Sequence, residues 1–247
     1  MKAMILAAGL GTRLRPLTAD RSKALVEING RTLLEITLAR LNSIGIREVI
    51  VNVHHFAEMV LDYLKAKDNF GLRIEVSRED VLLDTGGGLK KAGWFFTKDG
   101  VAEDEPFVLH NVDVLSNIDL RRMLEVHVET RALATMAVTK RDSSRQLLFD
   151  DSGRLCGRQA RGQNAEIIRP AAETRPLAFC GVHIVSPRLI GKMREEGVFS
   201  IIDTYLRLAA KGERIQAFRA DEYYWRDLGR LKDLEQAGED FEKKLIS

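Results

Sequence analysis

The strongest constraint on the fold lies in the first dozen residues. Ala3 to Ala8 is an unbroken apolar run that stops at Gly9, and Gly9-Leu10-Gly11-Thr12-Arg13 follows at once. A strand that is apolar throughout, without alternation, is one buried on both faces. A glycine-rich exit from such a strand lets backbone N–H groups approach an anion closely and adopt positive φ. Between residues 11 and 31, the basic Arg13, Arg15, Arg21, Lys23 and Arg31 outnumber the acidic Asp20 and Glu27. That excess suits a ligand as anionic as a triphosphate. The turn is not a Walker A loop, because no GK[ST] follows, and it lacks the third glycine of GxGxxG. On glycine spacing alone, a tight turn with solvated arginines explains it equally well.

The rest of the first half alternates in the same style. Leu34, Leu38 and Leu41 recur at i, i+4 and i+7, predicting an amphipathic helix that ends near Gly45. EVIVNVH (48–54) reads as a strand, 57–67 as a helix, and RIEVSR (73–78) and PFVLHN (106–111) as strands. Between the last two lie Gly86, Gly87, Gly88 and a short helical segment. Crossovers this long join parallel strands. From about residue 132 the rhythm changes. ATMAVTK (134–140) reads as a strand, LLFDDSGRLCG as a hairpin turning on Asp151-Ser152-Gly153, and AFCGVHIVS (178–186) as a strand. Pro187 opens a helix, Ile202, Tyr205, Leu206 and Ala209 mark another, IQAFRA (215–220) is a late strand, and 230–244 is a charged closing helix. No Pro/Ser-rich linker or internal repeat interrupts the chain. The expectation is one α/β domain over 1–247, with a mixed, mainly parallel, Rossmann-like sheet flanked by helices. Residues 1–131 form its nucleotide-binding half and 132–247 a more antiparallel, substrate-covering half.

Composition removes several classes of function. The 38 basic and 36 acidic residues leave a net charge of +2, so no global field marks a nucleic-acid or membrane partner. No apolar run approaches the roughly 18 residues of a membrane span. MKAMILAAG is too short for a signal h-region, and a Gly- and Arg-rich turn replaces the cleavage site. Cys156 and Cys180 cannot make a disulfide framework, which fits a reduced, cytoplasmic setting.

The run AAGLGTRLRPLT, followed by SKALVEI, resembles the sugar-1-phosphate nucleotidyltransferase family. The likeness extends from residue 3 to about residue 235 and is closest to short, single-domain bacterial members, the uridylyl- and guanylyltransferases. It implies a nucleotide-diphospho-sugar transferase fold and Mg²⁺-dependent transfer of a nucleoside monophosphate from a nucleoside triphosphate to a sugar 1-phosphate. Ala8, Gly9, Gly11 and Thr12 would form the nucleotide turn, Arg13 would hold the β- and γ-phosphates, and Lys23 would contact the reacting centre. LLDTGGGLKKA (82–92) resembles the loop packed on the base and ribose, with Gly86 and Gly87 in close approach. VLHNVDV (108–114) supplies Asn111 for the nucleotide and Asp113 for the metal, and YYWRDLG (223–229) supplies the second metal aspartate, Asp227. Arg13, Lys23 and Asp113 are the implied catalytic residues. For the sugar phosphate the E-K-P segment common in relatives is not evident. Arg158, in Gly157-Arg158-Gln159, takes its place, and Gly181 would allow close approach of the sugar. Ala24 stands where a proline is common and Val112 where a small residue is usual. Monomer and homo-oligomer both remain open, and no β-helical second domain is expected after the closing helix.

The chemistry implied needs few side chains. An incoming phosphate is already an anionic nucleophile, so the protein has to align two anions and neutralise developing charge. That matches the lack of a Ser/His/Asp set. His54 and His55 are adjacent, and neighbours on a strand point to opposite faces. Cys180, Trp94, Phe95 and Phe96 read as packing residues. Two alternatives stay open: transfer to a non-sugar phosphate such as phosphocholine, and a catalytically idle nucleotide-sugar sensor. Arg13, Lys23, Asp113 and Asp227 together weigh against the sensor, since binding alone does not need both carboxylates.

Overall fold

A computed structural model describes residues 1–97 and 105–243. The first half runs β1 (Ala3–Leu6), a small hairpin of β2 (Glu27–Ile28) and β3 (Arg31–Thr32), α1 (Leu33–Ser43), β4 (Glu48–Val53), α2 (Ala57–Ala66) and β5 (Arg73–Arg78). It continues through α3 (Asp84–Ala92), α4 (Trp94–Thr97), β6 (Phe107–Asn111), β7 (Val114–Ser116) and α5 (Leu120–Glu129). The second half contains β8 (Ala134–Thr139), β9 (Arg145–Phe149), β10 (Leu155–Ala160), β11 (Glu166–Ile167) and the long β12 (Arg175–Val185). It closes with α6 (Ile201–Ala210), β13 (Ile215–Arg219), β14 (Trp225–Asp227) and α7 (Leu231–Glu242).

The apolar runs become strands with a hydrophobic layer on each side. Successive strand residues face opposite ways, so Ala3 and Ile5 join Val49 and Val51 in one core with Leu34, Leu38 and Leu41 of α1. Met4, Ile50 and Leu109 join the other core, with Leu89 of α3 and Tyr205 of α6. Thr32 caps α1 by accepting from the Glu35 N–H at 3.1 Å. Asp119 caps α5 through the amides of Arg121 and Arg122.

Ten strands form the main sheet, in the order β11-β10-β9-β12-β6-β1-β4-β5, with β8 on β12 and β13 on β8. Following the pairings, β10 and β12 run against the other eight strands, so the sheet is mixed and mainly parallel. The chain leaves β1 for β4 and β5 on one side and returns to β6 on the other. The C-terminal ends of β1 and β6 therefore flank a switch point, where open α/β sheets open a crevice.

Some segments differ from expectation. Pro187–Lys192 is a 3-10 helix rather than an α-helix. The glycine run 86–88 lies inside α3 and is not a loop. The periodicity reading passed over α5, β7 and β14. Lys244, at the end of the expected closing helix, lies outside the described residues. Among the described residues, no helix is long and apolar enough to cross a membrane.

Candidate active site

A cleft of about 430 Å³ opens at the switch point. The turn after β1 forms one wall. Gly11 has φ +63°, and a Cβ there would meet Thr18 Cγ2 at 3.0 Å and Lys23 Cβ at 3.1 Å. Glycine is thus required for conformation and for space. The Thr18 hydroxyl donates to the Gly11 carbonyl at 2.8 Å, closing the turn. Ala8, Gly9, Gly11 and Thr12 all line the cleft, and so do Arg13 and Lys23.

Lys23 starts a short 3-10 turn capped by Ser22 and is 7% exposed. Its ammonium donates to the carboxylate of Asp113, which follows β6. Asp227 arrives from the far end of the chain. β14 pairs antiparallel with β7, setting Asp227 opposite Val114, and the Leu228 N–H donates to the Asp113 carbonyl at 2.8 Å. Arg13 closes the group from above: a Cβ on Gly229 would meet Asp227 Oδ1 at 2.5 Å and Arg13 Nη2 at 2.6 Å. Burial pushes the Asp227 carboxyl above the usual range, and the charge of Asp113 adds to the shift, against Lys23 and Arg13. Asp113 and Asp227, near enough to feel each other's charge, are the carboxylates here that could hold a hard divalent cation completed by phosphate oxygens.

This ladder is braced from behind. The Arg40 guanidinium donates to the carbonyls of Ser116 and Ile118 at the end of β7, and burial lowers its pKa to about 10. Tyr224 and Arg226 of the β14 segment both donate to Asp240 of α7, at 2.5 and 2.8 Å. The histidines behind the cleft, His110 and His183, are fully buried and held neutral, each lowered to about 3 by burial. Neither supplies a cation.

The opposite wall carries Leu82, Asp84 and Thr85, from the LLDTGGGLKKA segment, with Asn52 and Val198, which motif reading missed. Asn52 was visible as a polar residue set between the valines of EVIVNV. Asp84 holds φ +59° and bonds its own chain through Thr85 N at 2.5 Å. Gly86 and Gly87 do not line the cleft. Their N–H groups donate to the Phe199 carbonyl at 3.0 and 3.3 Å, and their missing side chains make room for Phe199 and Gly197. Their close approach is to this chain's own loop, which presents Val198 to the cleft. Asn111 lines the cleft, and its Oδ1 is buried without a partner.

The two residues expected at the sugar phosphate also sit outside the cleft lining. Arg158 is engaged by Glu166 and Asp203, both at 2.6 Å, so its charge is already matched. Gly181, at φ +75°, makes room for Val114 and the Asn111 amide, which a Cβ would meet at 2.6 and 3.0 Å. Ala24 is fully buried in the α1-side core. Val112 is 4% exposed and forms part of the cleft floor. His54 Nδ1 bonds the Glu79 carbonyl at 2.8 Å, a strand-end contact, and Cys180 is buried.

A model of the Nucleotidyl transferase family matches residues 2–147. The N-acetylmuramate alpha-1-phosphate uridylyltransferase of Caulobacter vibrioides is 34% identical over 226 residues, covering 85% of each chain. The UTP–glucose-1-phosphate uridylyltransferase of Synechocystis is 30% identical over 96% of this chain, which spans 62% of that protein's length. Among solved structures, HddC from Yersinia pseudotuberculosis, complexed with GMP-PN, superposes with a TM-score of 0.75 at 23% identity. The match covers 97% of this chain and 99% of that one.

Proposed function

The chain belongs to the nucleotidyl transferase family, and from that premise we propose that it joins a nucleoside monophosphate to a sugar 1-phosphate, releasing pyrophosphate. The observation that carries the reading is the convergence of Arg13, Lys23, Asp113 and Asp227 beside the Gly9–Gly11 turn. Those groups come from three distant segments, and a purely structural turn would not need them together.

In this reading a phosphate oxygen of the sugar 1-phosphate attacks the α-phosphorus. The bond to the β-phosphate oxygen breaks, and pyrophosphate leaves in line. Turn amides from Gly9 to Thr12 and the Arg13 guanidinium bind the β- and γ-phosphates. Lys23, held by Asp113, places its charge where negative charge gathers in the transition state. Asp113 and Asp227 would hold Mg²⁺, which when bound shares the charge of the reacting phosphates. No general base is required.

The names of the two curated relatives favour uridylyl transfer, with an N-acetylmuramate-type sugar first among acceptors; guanylyl transfer is the second reading. Substrates of this kind, together with two free buried cysteines, favour a cytoplasmic enzyme. The test is pyrophosphate release with Mg²⁺ across ATP, CTP, GTP, UTP and dTTP against a panel of sugar 1-phosphates. Release that needs one base and one sugar together supports the proposal and names both. Nucleotide binding with silence in every well overturns it in favour of a sensor or a non-sugar acceptor.

A further inference from the structure

Among the described residues, four half-buried arginines are matched by a carboxylate: Arg31 by Glu35, Arg169 by Asp150, Arg207 by Glu195 and Arg226 by Asp240. Four are not: Arg40, Arg154 and Arg214, held by backbone carbonyls or an amide oxygen, and Arg141. Among the described residues no carboxylate lies within ion-pair distance of Arg141, and its Nε is buried without a partner. The nearby Asp221 is occupied by Arg219 at 2.6 Å and by the Lys140 N–H at 2.7 Å. An unused donor on a half-buried guanidinium is a group that an arriving anion can complete.

Its setting is fixed. The guanidinium carbon lies 4.1 Å from the centroid of the Trp225 ring, and Nη2 donates to the Phe179 carbonyl at 2.8 Å. Trp225 in turn donates through Nε1 to the Cys180 carbonyl at 2.7 Å. A stacked, tethered guanidinium presents a preorganised planar fork, the geometry that matches a phosphate.

The position is equally specific. Arg141 follows the C-terminal end of β8, which runs parallel to β6 with β12 between them, so it emerges at the same sheet edge as Asn111 and Asp113. β12 bulges between Phe179 and His183, where Gly181 approaches the Asn111 amide. Trp225 stands two residues before Asp227 on β14. Arg141 is thereby connected, through Trp225 and Gly181, to the carboxylate side of the cleft, opposite the Leu82–Thr85 wall.

We propose that Arg141, laid on Trp225, receives the phosphate of the sugar 1-phosphate acceptor, the role expected of Arg158 from the sequence. The assignment rests on the acceptor reading above.

The experiment is steady-state pyrophosphate release by the full chain carrying R141A and R141K, with both substrates varied and melting temperatures recorded. R141A raises KM for the sugar 1-phosphate at least about tenfold, the loss expected for one charge-assisted fork, and leaves KM for the nucleoside triphosphate within about twofold. R141K keeps the charge but not the fork, so it falls between wild type and R141A; if R141A fails to fold, R141K alone must raise the acceptor KM. Unchanged acceptor KM, or a parallel rise for both substrates, overturns the assignment while the acceptor reading stands. Silence of the wild-type protein with every sugar 1-phosphate overturns the acceptor reading and the assignment with it.

Discussion

Asn52 and Glu79 meet as an amide and a carboxylate, both 2% exposed, with Asn52 Nδ2 donating to Glu79 Oε1 at 2.6 Å. The other end of each is also used. Asn52 Oδ1 accepts from Ala7 N at 2.7 Å, and Glu79 Oε2 accepts from Leu83 N at 2.9 Å. One buried pair thus ties the glycine turn after β1 to the entry of α3, the two walls of the cleft. Glu79→Gln leaves two N–H donors facing a single oxygen, and Asn52→Asp sets two carboxylates face to face. Each single change costs about 1–3 kcal/mol, the penalty for an unmatched buried polar group. Combining Asn52→Asp with Glu79→Gln restores the pattern. The new carboxylate accepts from the Ala7 N–H and from the new side-chain amide, whose own oxygen accepts from the Leu83 N–H. Thermal unfolding of the four proteins should show the double variant melting above both singles. Additive losses would refute the network.

Gly87→Ala should destabilise the fold although alanine is the better helix former by about 1 kcal/mol. A Cβ at Gly87 meets the Gly197 carbonyl oxygen at 2.5 Å and Leu83 Cβ at 2.9 Å. The first obstacle is backbone and cannot swing away, so a net loss of about 1–3 kcal/mol is expected. The loop pushed outward carries Val198, so KM for the nucleotide should rise with the loss of stability. A raised melting temperature would mean that α3 and this loop are not in contact.

These two cases mark what the sequence could and could not reveal. The strands of the parallel half were legible because their burial on both faces leaves unbroken apolar runs. Asp113 and Asp227 were legible because each sits in a distinctive local string. The glycines of α3 were visible, but not that Phe199 and Gly197 of this chain approach them: glycine reports a close approach without saying what approaches. β7 and β14 are three residues each, too short for any periodicity, and exist because Val114–Ser116 and Trp225–Asp227 pair with each other. Arg158 and Arg141 are indistinguishable as letters. Only the fold shows that Glu166 and Asp203 claim the first and, among the described residues, no carboxylate claims the second.

Asp113 and Asp227 should respond in opposite directions when neutralised. Asp113 is the ion-pair partner of Lys23, so Asp113→Asn strands a buried ammonium and lowers the melting temperature. Asp227 has a raised pKa, so the folded state binds its proton more tightly than the unfolded state does. Its burial cost therefore grows as pH rises above the ordinary aspartate value. Asp227→Asn removes that cost and should raise the melting temperature at pH 7 in metal-free buffer. Both variants should lose turnover by about two orders of magnitude or more. Equal shifts of stability in the same direction would contradict the assigned electrostatics.

Arg13→Ala should separate the two substrates in the other sense from Arg141. Arg13 lines the cleft beside the glycine turn and Gly229, so its loss should raise KM for the triphosphate by about tenfold or more. KM for the sugar 1-phosphate should stay within about twofold, because that anion is assigned to a different guanidinium. Initial-rate grids in both substrates decide it. Equal effects on the two KM values would remove Arg13 from the triphosphate.

The loop that supports α3 carries its own pH signature. Arg207 grips Glu195 with Nε on Oε1 at 2.6 Å and Nη2 on Oε2 at 3.0 Å, while the Glu195 carbonyl accepts from Lys90 of α3 at 2.6 Å. Arg207 holds the Glu195 carboxyl down at about 2. A carboxyl whose folded pKa is depressed contributes stability that is complete above its unfolded value near 4.5 and is lost as pH falls toward 2. Glu195→Gln should therefore melt below wild type at pH 7 and pH 5, with the gap narrowing at pH 3 and closing near pH 2. Because this loop also supplies the Phe199 carbonyl to Gly86 and Val198 to the cleft, nucleotide KM should rise in the variant at neutral pH. A gap that stays constant from pH 7 to pH 2 would show that Glu195 acts through its shape rather than its charge.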